Sequence, residues 1–201
     1  MSDRSGPDQG VVVRNVEVLS QDRYRVEKYT IDRRTRDGSW CSLAREVHWR
    51  GDSAIALLYC SRLRTVVLTR QFRLPVFVNG QSDGMMIEAP GGLLEGETPA
   101  TCVQREAEEE TGFQVEHAEK VCSAYMCPAL VTERVHLFLA EYDPTRRVSG
   151  GGGYAAEGED IEVMEVPIDT AFAMVEQGAI ADGKTILLLL QLKLKILSAA
   201  G

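Results

Sequence analysis

From residue 11 onward, apolar side chains recur at alternate positions or in brief runs. The segments are VVVRNVEVL, YRVEKYTIDRR, WCSLAREVHWR, AIALLYC and TVVLTRQFRL. Val, Ile, Tyr and Thr are frequent in them, which suits a pleated, half-buried surface, so five strands are predicted. Thr35-Arg36-Asp37-Gly38 carries an Asp-Gly pair and predicts a hairpin. Ser61–Arg64 joins the fourth strand to the fifth. The polar start MSDRSGPDQG predicts a disordered tail over residues 1–10.

A Gly-rich bend, EAPGGLLEGETP, comes next, and a helix should follow it. Thr98 is placed to cap it, Pro99 suits its first position, and Gly112 suits the residue just past its end. Ala100, Val103 and Ala107 fall on one face at helical spacing. Further strands are predicted at Glu119–Tyr125, Val135–Tyr142 and Ile161–Val166, with helices at Asp169–Glu176 and Thr185–Ser198. This order predicts an α/β domain over residues 11–201, with helices packed on a mixed sheet. Two connections are unusual: MCPALVTE (Met126–Glu133) and the long, acidic, Gly-rich SGGGGYAAEGED (Ser149–Asp160).

Composition narrows the partners. The 201 residues include 30 Asp plus Glu against 22 Lys plus Arg, a formal net charge of −8. Such a surface argues against nonspecific binding to nucleic acid or to an anionic membrane. An anionic substrate would need local cations. Cys41, Cys60, Cys102, Cys122 and Cys127 are odd in number and form no C-x-x-C pair, and the start has no apolar signal core. Together these predict a cytoplasmic protein with reduced thiols. The apolar run ILLLLQLKLKIL is short and carries lysines, so it predicts a packed helix, not a membrane span.

The first helix holds the candidate chemistry. Glu106 lies three residues before Glu109 and four before Glu110, so the three carboxylates share one side of the helix. Like charges that close repel. A hard divalent cation with oxygen ligands removes the penalty, and a solvated acidic face is the other reading open to the residues alone.

The surrounding segment, GGLLEGETPATCVQREAEEETGF (Gly91–Phe113), fits the pattern G-x5-E-x7-R-E-U-x-E-E-x-G-U, the Nudix box. The fixed positions fall on Gly91, Glu97, Arg105, Glu106, Ala107, Glu109, Glu110, Gly112 and Phe113, with Ala107 smaller than the pattern prefers. The chain thus resembles the Nudix hydrolases. The resemblance implies an α/β/α sandwich, hydrolysis of a nucleoside diphosphate linked to another group, and Mg²⁺ as cofactor with Mn²⁺ as substitute. It implies Glu106 and Glu110 as metal ligands, the Gly91 carbonyl completing the site, and Glu109 as a further ligand or water-orienting base. Glu97 and Arg105 would hold loop and helix together by an ion pair. Metal ions would neutralise the pyrophosphate oxygens and lower the pKa of a bound water, so the acidic surface is no obstacle.

Shorter matches reach across most of the chain: VLSQDRY, AREV, VVLTRQFR, FVNG, YMCPALVTE, GGGGYAAEGEDIEVMEVP and DGKT. They resemble the ADP-ribose pyrophosphatase-like group, and within it most the GDP-mannose pyrophosphatases. That resemblance implies a homodimer in which the N-terminal strands (residues 11–50) exchange, bringing Tyr24, Arg45 and Glu46 to the nucleotide in the other subunit's site. Arg73 would contact phosphate or ribose, for which a bidentate guanidinium is suited. Gly92 and Leu93 would line the site through backbone groups, with Glu110 beside the substrate. Glu133 and Lys184 would meet the diphosphate–sugar end. Glu159 would ligate metal or act as base, with Glu157 as the alternative. The loop reads PALVTE where the group often has P-G-G, so Ala129 and Leu130 make it bulkier.

The expected activity is cleavage of GDP-mannose to GMP and mannose 1-phosphate. An ADP-ribose or other ADP-sugar pyrophosphatase is the alternative, and a non-catalytic ligand-sensing Nudix module is a second. Elsewhere the plainer readings are preferred: Trp40 and Trp49 for core or dimer contacts, and His48, His117 and His136 as structural.

Overall fold

The computed structural model describes residues 10–80, 83–154, 156 and 158–199. It divides into two compact units. The first comprises the N-terminal residues to Gly51 together with Cys127–Glu133. Its three antiparallel strands, β1 (Val11–Gln21), β2 (Arg25–Arg34) and β3 (Trp40–Trp49), pair in chain order. The Asp-Gly turn forms as predicted: Asp37 accepts from the Ser39 N–H at 3.1 Å and Gly38 takes φ +87°. The register sets Lys28 opposite Glu46 and Tyr29 opposite Arg45. Segment 127–133 extends the β3 edge, His48 N–H donating to the Leu130 carbonyl and Thr132 N–H to that of His48.

In β1 a bulge between Val13 and Asn15 shifts the alternation by one residue. Val11, Val13, Val16 and Val18 therefore stay on one face despite their change of parity, and they are 38–48% exposed. Trp40 is also exposed, at 56%, which removes the core half of its expected role. Trp49 is partly buried and donates its indole N–H to the buried carboxylate of Glu27.

The second unit, Asp52–Met126 with Arg134–Gly201, holds a mixed seven-stranded sheet. Its strands are β4 (Ser53–Cys60), β5 (Thr65–Phe72), β6 (Met85–Glu88), β7 (Gly91–Leu93), β8 (Ala118–Ala124), β9 (Val135–Glu141) and β10 (Glu162–Pro167). The main order is β10-β5-β4-β9-β8, with β6 on β5 and β7 on β4; β4 and β9 run parallel. All eight residues of β4 are buried, as a central strand requires.

Alternation along β4 sorts the core. Ile55, Leu57 and Tyr59 face one layer, shared with Ile168, Leu188, Leu189 and Leu192 of α3 (Ile168–Glu176) and α4 (Gly183–Ala199). Ala54, Ala56, Leu58 and Cys60 face the other, shared with Cys102, Val103 and Ala107 of the acidic helix. The expected α/β/α layering is what forms. Ala100, expected on that helix's apolar face, is exposed, and Cys102 takes its place in the core. A short helix, α1 (Leu74–Val78), follows β5 and takes Leu74, which was expected to end that strand; Pro75 lies in its first turn.

Candidate active site

The acidic helix, α2 (Pro99–Glu106), starts as its sequence demands. Thr98 Oγ1 accepts from the Thr101 N–H at 3.3 Å, and Pro99 lies in the first turn. After Glu106 the helix widens into one π turn, Ala107–Thr111, before Gly112 at φ +78° ends it. Glu110 lies in that turn and is buried, accepting from the Gly91 N–H at 3.2 Å. Gly91 itself presses on β4: a Cβ there would strike the Ala54 carbonyl and Ile55, and its φ is +151°. The bend before the helix and the helix are thus locked together at the metal-ligand candidates.

Arg105 gathers the other carboxylates. It donates Nε to Glu97 Oε1 at 2.9 Å and Nη1 to Glu109 Oε2 at 2.8 Å, with Glu106 Oε1 at 3.0 Å. The expected Glu97–Arg105 pair is present, and Arg105 serves Glu106 and Glu109 as well.

The Gly-rich loop is fastened to the end of this helix. Gly152 N–H donates to the Glu110 carbonyl at 2.9 Å, Gly153 N–H to that of Glu109 at 3.2 Å, and Val148 N–H to that of Gly112 at 2.8 Å. These bonds satisfy carbonyls that a helix end leaves without partners. The loop then folds on itself, Glu159 accepting from the Tyr154 N–H at 2.9 Å. This brings the Glu159 carboxylate within electrostatic reach of Glu106 and Glu110. Its rival, Glu157, lies outside the described residues.

Burial pushes the Glu106 carboxyl up to about 7, against the pull of Arg105. Burial, and then the neighbouring Glu106, holds Glu110 well above the ordinary carboxylate range, while the Gly91 N–H and Arg73 oppose the rise. Cys102 beneath them has its thiol pushed up to about 11 by burial, so it is no nucleophile. Among the described residues no three acidic, cysteine or histidine side chains stand as a finished cation cage, and Arg105 engages Glu106 and Glu109. The donor set nonetheless fits a hard divalent cation. It is carboxylate oxygen only, and its buried members need a counter-charge to ionise.

Arg73 and Lys184, expected to contact substrate, meet on one residue the sequence reading passed over. Glu88 Oε2 accepts from Arg73 Nε at 2.7 Å, and Oε1 lies 3.5 Å from Lys184 Nζ. Lys184 also pairs with Asp182 at 2.5 Å, and Asp182 caps α4 by accepting from the Thr185 N–H. The available signal was Glu88's place just before Ala-Pro-Gly-Gly, where a carboxylate ends a strand inside the fold. Gly92 and Leu93 form the β7 edge; Gly92 lies against the Glu106 carboxylate, and the Leu93 carbonyl is 3.5 Å from Arg105 Nη2.

Tyr24, Arg45, Glu46 and Glu133 belong to the N-terminal unit. The guanidinium groups of Arg23 and Arg50 each lie over the Tyr24 ring, 5.8 Å from its centre. Arg45 and Glu46 are exposed on β3, and Glu133 pairs with Arg50 at 3.5 Å.

Comparison with known proteins agrees with this anatomy. The NUDIX domain profile matches residues 49–189, and the profile of the GDP-mannose pyrophosphatase NudK N-terminal domain matches residues 10–48. A GDP-mannose pyrophosphatase of Pectobacterium atrosepticum is 49% identical over 172 residues, covering 86% of this chain and 88% of that protein. One of Cronobacter sakazakii is 47% identical over 178 residues, covering 89% and 92%. A crystal structure described as an ADP compounds hydrolase superposes with a TM-score of 0.70 at 17% identity, covering 98% of this chain and 99% of that one, a likeness of fold. An acidic helix locked to a glycine bend, in a chain whose residues 49–189 match the NUDIX domain profile and whose relatives cover most of its length, has one reading: the protein belongs to the Nudix hydrolase family.

Proposed function

We propose that this enzyme hydrolyses the pyrophosphate bond of a nucleoside diphosphate sugar, cutting GDP-mannose to GMP and mannose 1-phosphate. The carrying observation is the meeting of Glu106, Glu109, Glu110 and Glu159 at one helix end, in a chain nearly half identical to proteins named for that reaction. Gly91, Glu106, Glu109, Glu110 and Glu159 would hold Mg²⁺, with Mn²⁺ as substitute. When bound, the ion neutralises phosphate oxygens and lowers the pKa of its water. Arg73 and Lys184 bind and orient the diphosphate. Glu159, held by the Tyr154 N–H beside the buried carboxylates, takes the proton from the attacking water. Gly92 and Leu93 border the substrate through their backbone. The five free thiols support a cytoplasmic location.

A panel of nucleoside diphosphate sugars assayed with Mg²⁺ by chromatography is expected to give GMP and mannose 1-phosphate fastest. Faster turnover of ADP-ribose would transfer the assignment to the ADP-sugar alternative. A folded protein that binds panel members and cleaves none would favour the sensing module.

The reading includes a homodimer. The exposed valine face of β1 supports it, because a row of exposed apolar side chains of this kind marks association. Tyr24, Arg45, Glu46 and Glu133 would complete the site of the other subunit around base and sugar. Refolding a mixture of inactive Arg45→Ala and Glu110→Gln chains should then regain activity. Sedimentation of an active monomer at assay concentration would refute the shared site.

A further inference from the structure

We propose that Glu88 is a positioning residue that yokes Arg73 and Lys184 into one clamp for the substrate's diphosphate; the proposal rests on the nucleotide-sugar reading. The two cations are far apart in sequence. Arg73 caps α1 after β5, and Lys184 lies in the first turn of α4. Glu88, the last residue of β6, reaches both with one carboxylate, Oε2 to Arg73 and Oε1 to Lys184.

Glu88 is itself fixed. It pairs with Thr69 across β5 and β6, and its carbonyl accepts from Thr69 Oγ1 at 3.2 Å. The next residue, Ala89, donates its N–H to Thr185 Oγ1 at 2.7 Å. The end of β6 and the start of α4 are therefore joined twice, once through backbone and once through charge.

The network is layered by burial. The Glu88 and Asp182 side chains are each 8% exposed, whereas Arg73 and Lys184 are 43% and 25% exposed. Acids behind and bases in front present cations to an arriving anion and offset the repulsion between them. Charge-assisted bonds of this kind also fix direction. Because Arg73 spends Nε on Glu88, its Nη pair has no protein hydrogen bond among the described residues and is left to grip an anion.

The test compares Glu88→Gln and Glu88→Asp with the parent, alone and combined with Lys184→Met, in the full-length protein with Mg²⁺. Two quantities are read: kcat and KM on the nucleotide-sugar panel, and the affinity for inorganic pyrophosphate by calorimetry. Glu88→Gln should raise KM and weaken pyrophosphate binding roughly tenfold to a hundredfold, with a smaller change in kcat. Glu88→Asp should recover part of the loss. With Lys184→Met present, Glu88→Gln should cost much less than it does alone, since the residues act as one unit. A Glu88→Gln protein with parental KM and pyrophosphate affinity overturns the proposal. So does an equal loss with and without Lys184→Met, which marks a merely structural role. If Glu88→Gln does not fold, the Glu88→Asp pair decides by the same comparison. A parent that cleaves no panel member overturns the nucleotide-sugar reading, and the pyrophosphate titrations then decide Glu88 separately.

Discussion

Glu110→Gln is expected to lower kcat/KM about a thousandfold while raising the melting temperature of the chelator-treated protein. Glutamine keeps the shape and can still accept the Gly91 N–H bond seen at 3.2 Å, but it removes a charge from the oxygen-donor set. Metal-ion catalysis contributes several kcal/mol of transition-state stabilisation, and about 4 kcal/mol corresponds to a thousandfold. Stability moves the other way, because a buried neutral amide replaces a buried carboxylate that resists ionising. The sign with pH follows. A carboxyl whose pKa is raised on folding contributes stability below its ordinary value, and loses that contribution as pH climbs through the raised one. For Glu106 that window runs from 4.5 to about 7. Without metal, these groups should therefore make the parent melt lower at pH 8 than at pH 5, with a shallower slope in Glu110→Gln. Added Mg²⁺ should raise the parent's melting temperature more at pH 8, where its ligands are ionised. Melting scans with chelator and with Mg²⁺ at both pH values check this. Full turnover by Glu110→Gln, or a parent whose melting ignores Mg²⁺, would remove Glu110 from the metal site.

Gly151→Ala is expected to cost about 2–3 kcal/mol of stability and about a hundredfold in turnover. Gly151 sits at φ +68°, and a Cβ there would meet the Glu110 carbonyl oxygen and the Thr111 backbone. The loop would have to lift, breaking the bonds from Gly152 and Gly153 to the helix end and carrying Glu159 away from Glu106 and Glu110. Displacing a catalytic group by an ångström is enough for a loss of that size. Gly150 is the control: a Cβ there meets nothing within 4 Å and its φ is not positive, so Gly150→Ala should stay within about 0.5 kcal/mol. Denaturant melts and steady-state assays of both proteins decide it. Gly151→Ala with the activity of Gly150→Ala would mean that the loop's docking is irrelevant to turnover.

The five N-terminal strands were legible because alternation and β-branched residues are local signals. The acidic helix was legible for the same reason, down to Thr98, Pro99 and Gly112. Other elements depend on distant partners. Strands β6 and β7 are four and three residues long and exist only by pairing with β5 and β4. The π turn is a local rearrangement that helical periodicity smooths over. Helical spacing put Ala100 on the apolar face, but the seating of α2 on small residues of β4 buries Cys102 instead.

The sequence by itself carried the reaction class through the resemblance of Gly91–Phe113 to the Nudix box; the helical spacing of Glu106, Glu109 and Glu110 alone left a solvated acidic face as the other reading. It also determined the five strands through β5 and the caps of the acidic helix, all set by interactions within a few residues. Only the tertiary structure decided that Glu159 is held against the helix by backbone bonds from Gly152 and Gly153. Only it revealed that Glu88 joins Arg73 to Lys184. Both facts depend on residues distant along the chain meeting where burial makes an unpaired charge costly, and no local pattern encodes such a meeting.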